Sequence, residues 1–143
     1  MSARQAPCLV SACLAGRPCR YDGRAAPHPE VMEWLARGLA LPVCPEELGG
    51  LPSPRPPCEL RSGRIVDALG NDHTEAFVSG CKLGLEAALA AGCREAVLKA
   101  RSPSCGVGEI YDGAFSRRLT KGNGLFAQAL MNVGISVRRD EDV

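Results

Sequence analysis

The sequence predicts an α/β fold, a compact Rossmann-like domain of three layers built around a mainly parallel central sheet. Short apolar runs alternate along the chain with longer segments whose apolar residues recur at helical spacing, which is the pattern of a layered α/β domain. Three of these apolar runs end in a loop that carries a cysteine, and in open α/β sheets such strand-end loops carry the chemistry. With 143 residues the chain can bury a core of its own, and we expect residues 1–143 to form one domain.

The first third of the chain contains two predicted strands and one helix. A short apolar strand at residues 8–12 ends at Cys13. A helix is expected at residues 29–39, because a proline and acidic residues lie in its first turn and an arginine and a glycine lie near its end. A second short strand at residues 41–44 runs into Cys44-Pro-Glu46, so this strand also ends in a cysteine-bearing loop.

The middle of the chain is predicted to be irregular before it becomes helical. Residues 47–57 are rich in glycine and proline, and long loops in compact domains are usually functional or mobile. A small hairpin is expected to pair residues 58–60 with residues 64–66. A long helix is predicted at residues 74–91, and Cys81 falls on its apolar face, which favours a core position for this thiol.

The third predicted strand leads into a third cysteine-bearing loop. The strand covers residues 96–99. Pro103 disfavours a helical conformation for the residue before it, so Ser102 is expected to be extended. Cys105 then lies in a glycine-bounded loop among hydroxyl groups.

A final helix at residues 124–132 and a fourth strand at residues 135–137 complete the alternation. If the strands lie in the order 2-1-3-4, the first three strands are neighbours. Parallel strands end at the same edge of a sheet. With that order, Cys13, Cys44 and Cys105 lie together at the carboxyl edge.

Composition argues against two classes of partner. The net charge is +1 at pH 7, so no overall basic field indicates nucleic acid. No apolar run approaches the roughly 20 residues that cross a bilayer, which argues against a membrane protein. Residues 1–7 lack the apolar core of a secretory signal, so we expect a cytoplasmic protein with reduced thiols.

Eight cysteines are many for a chain of this length. Cytosolic thiols stay reduced and a chain this long needs no covalent staples, so a disulfide framework is not expected. Metal binding or catalysis is expected for some of them and a core position for others. No Cys-x-x-Cys pair occurs and both histidines lie outside the three loops, so spacing alone leaves a metal site and incidental thiols both open. The eight are Cys8, Cys13, Cys19, Cys44, Cys58, Cys81, Cys93 and Cys105.

Other residues of the loops each allow two interpretations. Glu46 could act as a general acid or base, or it could be a rim glutamate in water. Ser102 could bind substrate or only bond its own turn. Tyr21 and Tyr111 could line a pocket for a base or belong to two similar turns, and residues 121–124 could hold an anion or form a glycine-rich cap.

Three groups of loop residues follow one another along nearly the whole chain. They are Val10-Ser-Ala-Cys-Leu-Ala-Gly16 with Arg20-Tyr-Asp-Gly23, Cys44-Pro-Glu46 with Gly49-Gly-Leu-Pro-Ser-Pro-Arg55, and Lys99 with Ser102-Pro-Ser-Cys-Gly106 and Tyr111-Asp-Gly-Ala-Phe-Ser116. Together they resemble the thiouracil desulfidase family, once known as a bacterial domain of unknown function. Because several motifs match in order, the resemblance is specific.

The resemblance implies a set of site residues. It implies a [4Fe-4S] cluster on three cysteines, which correspond to Cys13, Cys44 and Cys105. It also implies an acidic residue and a serine beside the cluster, which correspond to Glu46 and Ser102 as catalytic residues. Family members vary at the other five cysteine positions, so those thiols are not expected to be ligands.

The resemblance also implies a reaction, the removal of sulfur from a thiolated pyrimidine, such as 2-thiouracil to uracil plus sulfide. Three protein ligands leave the fourth iron open to the soft thiocarbonyl sulfur, and that iron polarises the C=S carbon as a Lewis acid. The oxidation state of the carbon does not change, so no ATP or nicotinamide is needed. The chain resembles the short form of the family, which favours a small free thiopyrimidine as partner, no stable nucleic-acid complex and no membrane. The oligomeric state stays open.

Two other functional classes also stay open. One is a structural or sensing iron–sulfur or metal protein in which Cys19 supplies a fourth ligand. The other is a thiol-based redox protein with Cys105 as nucleophile. The optical spectrum of anaerobically purified protein separates these classes from each other.

Overall fold

The structure is a computed structural model that describes residues 6–143, and residues 1–5, on which part of the secretory-signal argument rests, lie outside it. Within the described residues the strands are β1 (Cys8–Ser11), β2 (Ala40–Val43), β3 (Cys58–Arg61), β4 (Arg64–Asp67), β5 (Glu95–Leu98), β6 (Glu109–Tyr111), β7 (Leu119–Lys121) and β8 (Ser136–Arg139). The α-helices are α1 (Pro29–Ala36), α2 (Pro45–Leu48), α3 (Thr74–Ala90) and α4 (Leu125–Asn132). Short 3₁₀ helices follow β1 and β8, at Ala12–Ala15 and Asp140–Asp142.

The central sheet confirms the predicted fold class. Its four strands lie in the order β2-β1-β5-β8, and every neighbouring pair is parallel. If these four strands are numbered one to four along the chain, their order in the sheet is 2-1-3-4. This is the order for which the three cysteine loops were expected to lie together. The register pairs Ser11 with Val43, so β1 and β2 end side by side.

Helices cover both faces of this sheet. Successive strand residues point to opposite faces, and Leu9 accordingly packs in one core while Val10 packs in the other. The first core includes Phe126 of α4 and residues of α3, and the second includes Val31 of α1. Cys81 lies in the first core, as predicted from its helical spacing, and it is 6% exposed.

The structure differs from the predicted element boundaries in a few places. The first helix ends at Ala36, before the predicted residue 39, because the chain reverses there through Gly38 at a φ of 73°. The hairpin β3–β4 matches the prediction and is one residue longer on each strand. The helix α2 and the hairpin β6–β7 were not predicted, since elements of three or four residues are too short to show a period.

No helix in residues 6–143 is both long and apolar enough to span a bilayer.

Candidate active site

The loops that follow β1, β2 and β5 open into one cavity of about 490 Å³ at the carboxyl edge of the sheet. Cys13, Cys44 and Cys105 all line this cavity. The parallel register brings the strand ends together, so residues far apart in the chain share one wall. The sequence-predicted site residues Glu46 and Ser102 line the same cavity.

Cys13 lies in the short 3₁₀ helix that directly follows β1. Gly16 ends this helix at a φ of 94°, a conformation that favours glycine and turns the chain away from the sheet. Cys13 is 7% exposed, and burial raises the pKa of its thiol to about 11. The thiol therefore stays protonated unless a bound cation compensates the charge.

Cys44 precedes the first turn of α2 and is half-buried. A hydrogen bond from the neighbouring Cys19 thiol, helped by the backbone N–H of Glu47, lowers the pKa of Cys44 to about 7. The same hydrogen bond, with burial, raises the pKa of Cys19 far above its usual range. The two residues lie side by side, and in its protonated form the Cys44 thiol donates to the carbonyl oxygen of Cys19 at 3.9 Å.

Cys105 is buried in the loop after β5, and burial raises the pKa of its thiol well above the usual range. The Ser102 hydroxyl accepts the backbone N–H of Cys105 at 2.7 Å, and the Ser102 carbonyl accepts that of Gly106 at 2.9 Å. A Cβ at Gly106 would lie 2.6 Å from the Ser102 carbonyl oxygen, so the loop closes only around a glycine. Ser102 does bond its own turn, and its hydroxyl also lies 3.3 Å from that of Ser104.

Glu46 is held on both carboxylate oxygens and is not a freely solvated rim residue. Its Oε1 accepts a hydrogen bond from Arg55 Nε at 3.0 Å and lies 2.9 Å from Arg55 Nη2 in an ion pair. Its Oε2 accepts the hydroxyl of Ser104 at 2.7 Å. The side chains of Glu46 and Arg55 are 15% and 5% exposed, so this ion pair is shielded from solvent.

Arg55 and Ser104 are site residues that the sequence reasoning did not single out. Arg55 also donates to the carbonyl of Cys19 at 2.9 Å, and so ties the first cysteine loop to Glu46. It stands at the end of the long glycine- and proline-rich loop, and the unusual length of that loop was the available signal. Ser104 carried no signal beyond its place between Pro103 and Cys105.

The helix α2, which presents Glu46, is seated against the backbone of α3. A Cβ built on Gly80 of α3 would lie 1.7 Å from the carbonyl oxygen of Pro45. A Cβ built on Gly49, just after α2, would lie 2.0 Å from the carbonyl oxygen of Ala76. Two glycines therefore let the two backbones touch, and this contact sets the position of α2.

We expect Gly80→Ala to lower both the iron content and the thermal stability of the protein. Alanine gains roughly 1 kcal/mol in helix propensity, but the added methyl meets backbone atoms of α2 and overpacking of this kind costs about 1–3 kcal/mol. Because α2 must shift, Cys44 and Glu46 shift with it. Iron per chain and the thermal midpoint of the anaerobic protein measure the effect.

Gly84→Ala is the matched control on the same helix. Its added Cβ would lie 2.8 Å from Phe126 Cε1 and 3.1 Å from Val43 Cγ1, which are side-chain atoms. This variant can lose stability but should keep its iron. Wild-type iron content in Gly80→Ala would contradict the role given to the backbone contact.

Three aromatic side chains, which form the aromatic wall, also belong to the lining of the cavity. They are Tyr21, Tyr111 and Phe115. Glu59 of β3 accepts the backbone N–H of Phe115 at 3.2 Å, and the guanidinium of Arg61 stacks over the Phe115 ring at 5.5 Å. The hairpin β3–β4 thus supports the loop that carries Phe115.

In residues 121–124 the N–H groups of both glycines are already hydrogen-bonded within the fold. The N–H groups of Gly122 and Gly124 donate to the carbonyls of Gly108 and Gly106, at 3.1 Å and 2.8 Å. The side chain of Asn123 accepts the N–H of Gly108 at 2.8 Å. The segment is a glycine-rich cap before α4, the structural alternative that the sequence allowed.

The remaining cysteines and the histidines lie in other surroundings, with one exception. Cys93 packs in the first core, and Cys8 begins β1, at the opposite end of the strand from Cys13. His28 accepts the N–H groups of the first turn of α1. The exception is Cys58, which lines the cavity from β3 and has a pKa raised to about 11 by burial.

Known proteins resemble this chain along most of its length. A family model described as 2-thiouracil desulfurase matches residues 8–142. The chain is 36% identical over 145 residues to the uncharacterized protein YbbK of Bacillus subtilis (strain 168), across 94% of this chain and 96% of that protein. Among solved structures it is similar to the [4Fe-4S]-dependent thiouracil desulfidase TudS, with a TM-score of 0.92 and 41% identity over 97% of this chain and 93% of that one.

Proposed function

Because the chain belongs to the 2-thiouracil desulfurase family, we propose that it is a [4Fe-4S]-dependent desulfidase that converts a thiolated pyrimidine, such as 2-thiouracil, to uracil plus sulfide. One observation carries the proposal for this chain. The three cysteine-bearing loops and the clamped carboxylate of Glu46 open into one cavity at the carboxyl edge of the sheet. We propose that residues 1–143 do this as one domain.

The donor set of the cavity fits an iron–sulfur cluster. In the described residues no three His, Cys, Asp or Glu side chains are grouped closely enough to share one metal ion. A cluster makes a different demand, because each cysteine binds its own iron and thiolate is the usual ligand. We assign Cys13, Cys44 and Cys105 as these ligands. When bound, the cluster supplies an iron without a protein ligand, which acts as a Lewis acid toward the soft thiocarbonyl sulfur.

The aromatic wall suits a flat heterocyclic substrate. Ligand pockets usually measure about 300–1,000 Å³, and the cavity of about 490 Å³ lies in that range. Aromatic side chains stack on bases without regard to sequence, and Tyr21, Tyr111 and Phe115 are available for this contact. With a net charge of +1, the chain as a whole is not built to attract a polyanion, so we propose a small-molecule substrate and no stable nucleic-acid complex.

Glu46 is the residue proposed to handle the proton of the attacking water. Arg55 fixes one carboxylate oxygen and leaves the other to the hydroxyl groups of the cavity. Addition of water to the thiocarbonyl carbon releases a proton, which a positioned carboxylate can accept. The carbon keeps its oxidation state, so no nicotinamide or ATP enters the reaction.

An anaerobic assay tests the proposal. Iron-loaded protein is incubated with 2-thiouracil, and uracil and sulfide are measured together; the expected result is equal amounts of both, over many turnovers per chain. A panel of thiolated bases and nucleosides then defines the preferred substrate. A brown, iron-loaded protein that turns over no member of the panel would contradict the proposal.

The structural-cluster alternative has one observation in its favour. Cys19 is buried, lines the cavity and lies beside Cys44, so it is placed where a fourth ligand could stand. The redox alternative has less support, because reactive thiols have lowered pKa values and some exposure. Cys105 is buried and has a raised pKa.

We expect Cys19→Ala to retain both the cluster spectrum and the activity. The Cys19 thiol lies beside Cys44, and removing it leaves the three assigned ligands in place. Iron content, the visible spectrum and turnover of 2-thiouracil are measured on the same anaerobic preparation. Joint loss of spectrum and activity would instead make Cys19 a ligand and favour the structural cluster.

A further inference from the structure

We propose that Ser104 is a proton relay that connects Ser102 to Glu46. The inference rests on the proposed function, since it concerns the proton that the attacking water releases. Glu46 and Ser102 are the two residues expected to be catalytic, and no hydrogen bond joins them directly in the described residues. The Ser104 hydroxyl lies between them, 2.7 Å from Glu46 Oε2 and 3.3 Å from Ser102 Oγ.

The number of hydroxyl protons fixes which group donates and which accepts in the two hydrogen bonds that join Ser102, Ser104 and Glu46. A serine hydroxyl has one proton to donate and two lone pairs to accept with. The carboxylate of Glu46 can only accept, so the Ser104 hydroxyl donates its proton to Oε2. Cys105 Sγ lies farther away, at 3.7 Å, and does not receive this hydrogen bond. Ser104 can then only accept from Ser102, which becomes the donor of the second hydrogen bond.

Counting the proton and the two lone pairs of the Ser102 hydroxyl shows that it can accept one more hydrogen bond from the cavity. Its proton is given to Ser104, and one lone pair accepts the backbone N–H of Cys105. One lone pair of Ser102 therefore remains. Because Ser102 lines the cavity, this lone pair can accept a proton from a water molecule bound there.

Proton transfer through Ser102 and Ser104 to Glu46 conserves atoms and charge. Water attacks the thiocarbonyl carbon, its oxygen lone pair forms the C–O bond, and one proton passes to Ser102. Ser102 passes its own proton to Ser104, and Ser104 passes its own to Glu46. When the C–S bond breaks, the electron pair leaves with sulfur, and Glu46 returns its proton through Ser104 and Ser102 to that sulfur. The second water proton leaves the new C–OH group as the carbonyl forms and also goes to the sulfur. Uracil and hydrogen sulfide then account for every atom of 2-thiouracil and water.

The Ser104 hydroxyl has no structural partner outside the site. The fold uses the backbone of Ser104 instead, because its carbonyl accepts the N–H groups of Phe126 and Ala127 at 2.9 Å and 3.2 Å and so anchors α4. The hydroxyl bonds only to groups of the cavity, and the residue is 1% exposed, so bulk water does not replace it as a proton path.

The experiment compares Ser104→Ala, Ser102→Ala and the double variant, all loaded with iron. Removing either hydroxyl interrupts proton transfer completely, so removing the second one as well should cause no further loss. We therefore expect each single variant and the double variant to lose a similar factor in kcat, about 10²–10⁴. The KM for 2-thiouracil and the equilibrium affinity for uracil should stay near the wild-type values, because the hydroxyls move a proton and do not hold the ring. Iron content and the visible spectrum should not change in Ser104→Ala. Ser102→Ala also removes the acceptor of the Cys105 N–H, so kcat is taken per bound iron for every variant.

Ser79→Ala, at an exposed position of α3, is the matched control and should behave as wild type. Near-normal kcat in Ser104→Ala, or losses in the two single variants that multiply in the double variant, would overturn the relay. If the wild-type protein itself shows no turnover, the proposed function fails, and that outcome is distinct from a failure of the relay.

The wild-type protein provides a second test if Ser104→Ala loses iron. Single-turnover rates are measured in mixtures of H₂O and D₂O. A relay moves several protons in the same step, so the rate should fall along a curve as the deuterium fraction rises. A straight line, which indicates one moving proton, would overturn the proposal.

Discussion

Changing Cys13, Cys44 or Cys105 to serine, one at a time, should remove most of the bound iron from anaerobically purified protein. A hydroxyl oxygen is harder than a thiolate and does not lose its proton near neutral pH, so it is a poor substitute as an iron ligand. Each cysteine reaches the cavity from a different strand end, so no two of the three belong to the same loop. Iron and acid-labile sulfide per chain, with the visible spectrum, measure the loss.

Cys81→Ser and Cys93→Ser are the controls for these three variants. Both thiols pack in the first core, away from the cavity lining, so a hydroxyl there costs stability by about 1–3 kcal/mol but should leave the iron bound. The assignment is wrong if Cys81→Ser loses the cluster while Cys44→Ser keeps it. Cys58→Ser is an informative addition, since Cys58 lines the cavity and is not assigned as a ligand.

Glu46→Gln should load its cluster normally and lose turnover by roughly 10²–10⁴. The amide keeps the size of the carboxylate and one oxygen that can accept from Arg55. It cannot take up a proton, and its NH₂ group would face the Ser104 hydroxyl, which donates to Glu46 in the wild type. The measurement is anaerobic turnover of 2-thiouracil, normalised to iron content.

Glu47→Gln is the matched control. Both glutamates lie in the first turn of α2, so position along the chain alone does not separate them. The control still holds, because Glu47 forms an exposed ion pair with Arg17 at 3.3 Å and does not line the cavity. Near-normal turnover in Glu46→Gln would remove Glu46 from the mechanism and leave the polarising iron, with Ser102, to carry the reaction.

Much of the fold could be predicted because its signals are local. The short apolar strands and the long helix α3 each show their period within a few residues. The predicted place of Cys81 in the core followed from such a period, and the structure confirms it. The helix α2 and the strands β6 and β7 have only three or four residues each, which is too short to show a period. All residues of β7 are also exposed, so no apolar pattern marks that strand.

The wider site was harder to predict because its contacts join distant parts of the chain. Glu46 and Ser104 are 58 residues apart in sequence, and Cys19 and Cys44 are 25 apart. Nothing in the residue types alone couples these pairs. Glu46 and Cys44 were predicted site residues, and their partners Ser104 and Cys19 lie in loops that were also predicted to form the site. The sequence therefore indicated the loops but not which residues within them form contacts.

The sequence by itself determined the alternation of the four central strands with α1, α3 and α4, the family, and the three loops in which cysteines follow strand ends. That information is sufficient because parallel strands necessarily end at one edge of their sheet. Only the tertiary structure decided that Arg55 clamps Glu46, that Ser104 stands between Glu46 and Ser102, and that Gly80 lets α2 lie against α3. The physical reason is that hydrogen-bond partners and backbone contacts are set by distances of a few ångströms across loops, and these distances exist only after the sheet has brought the loops together.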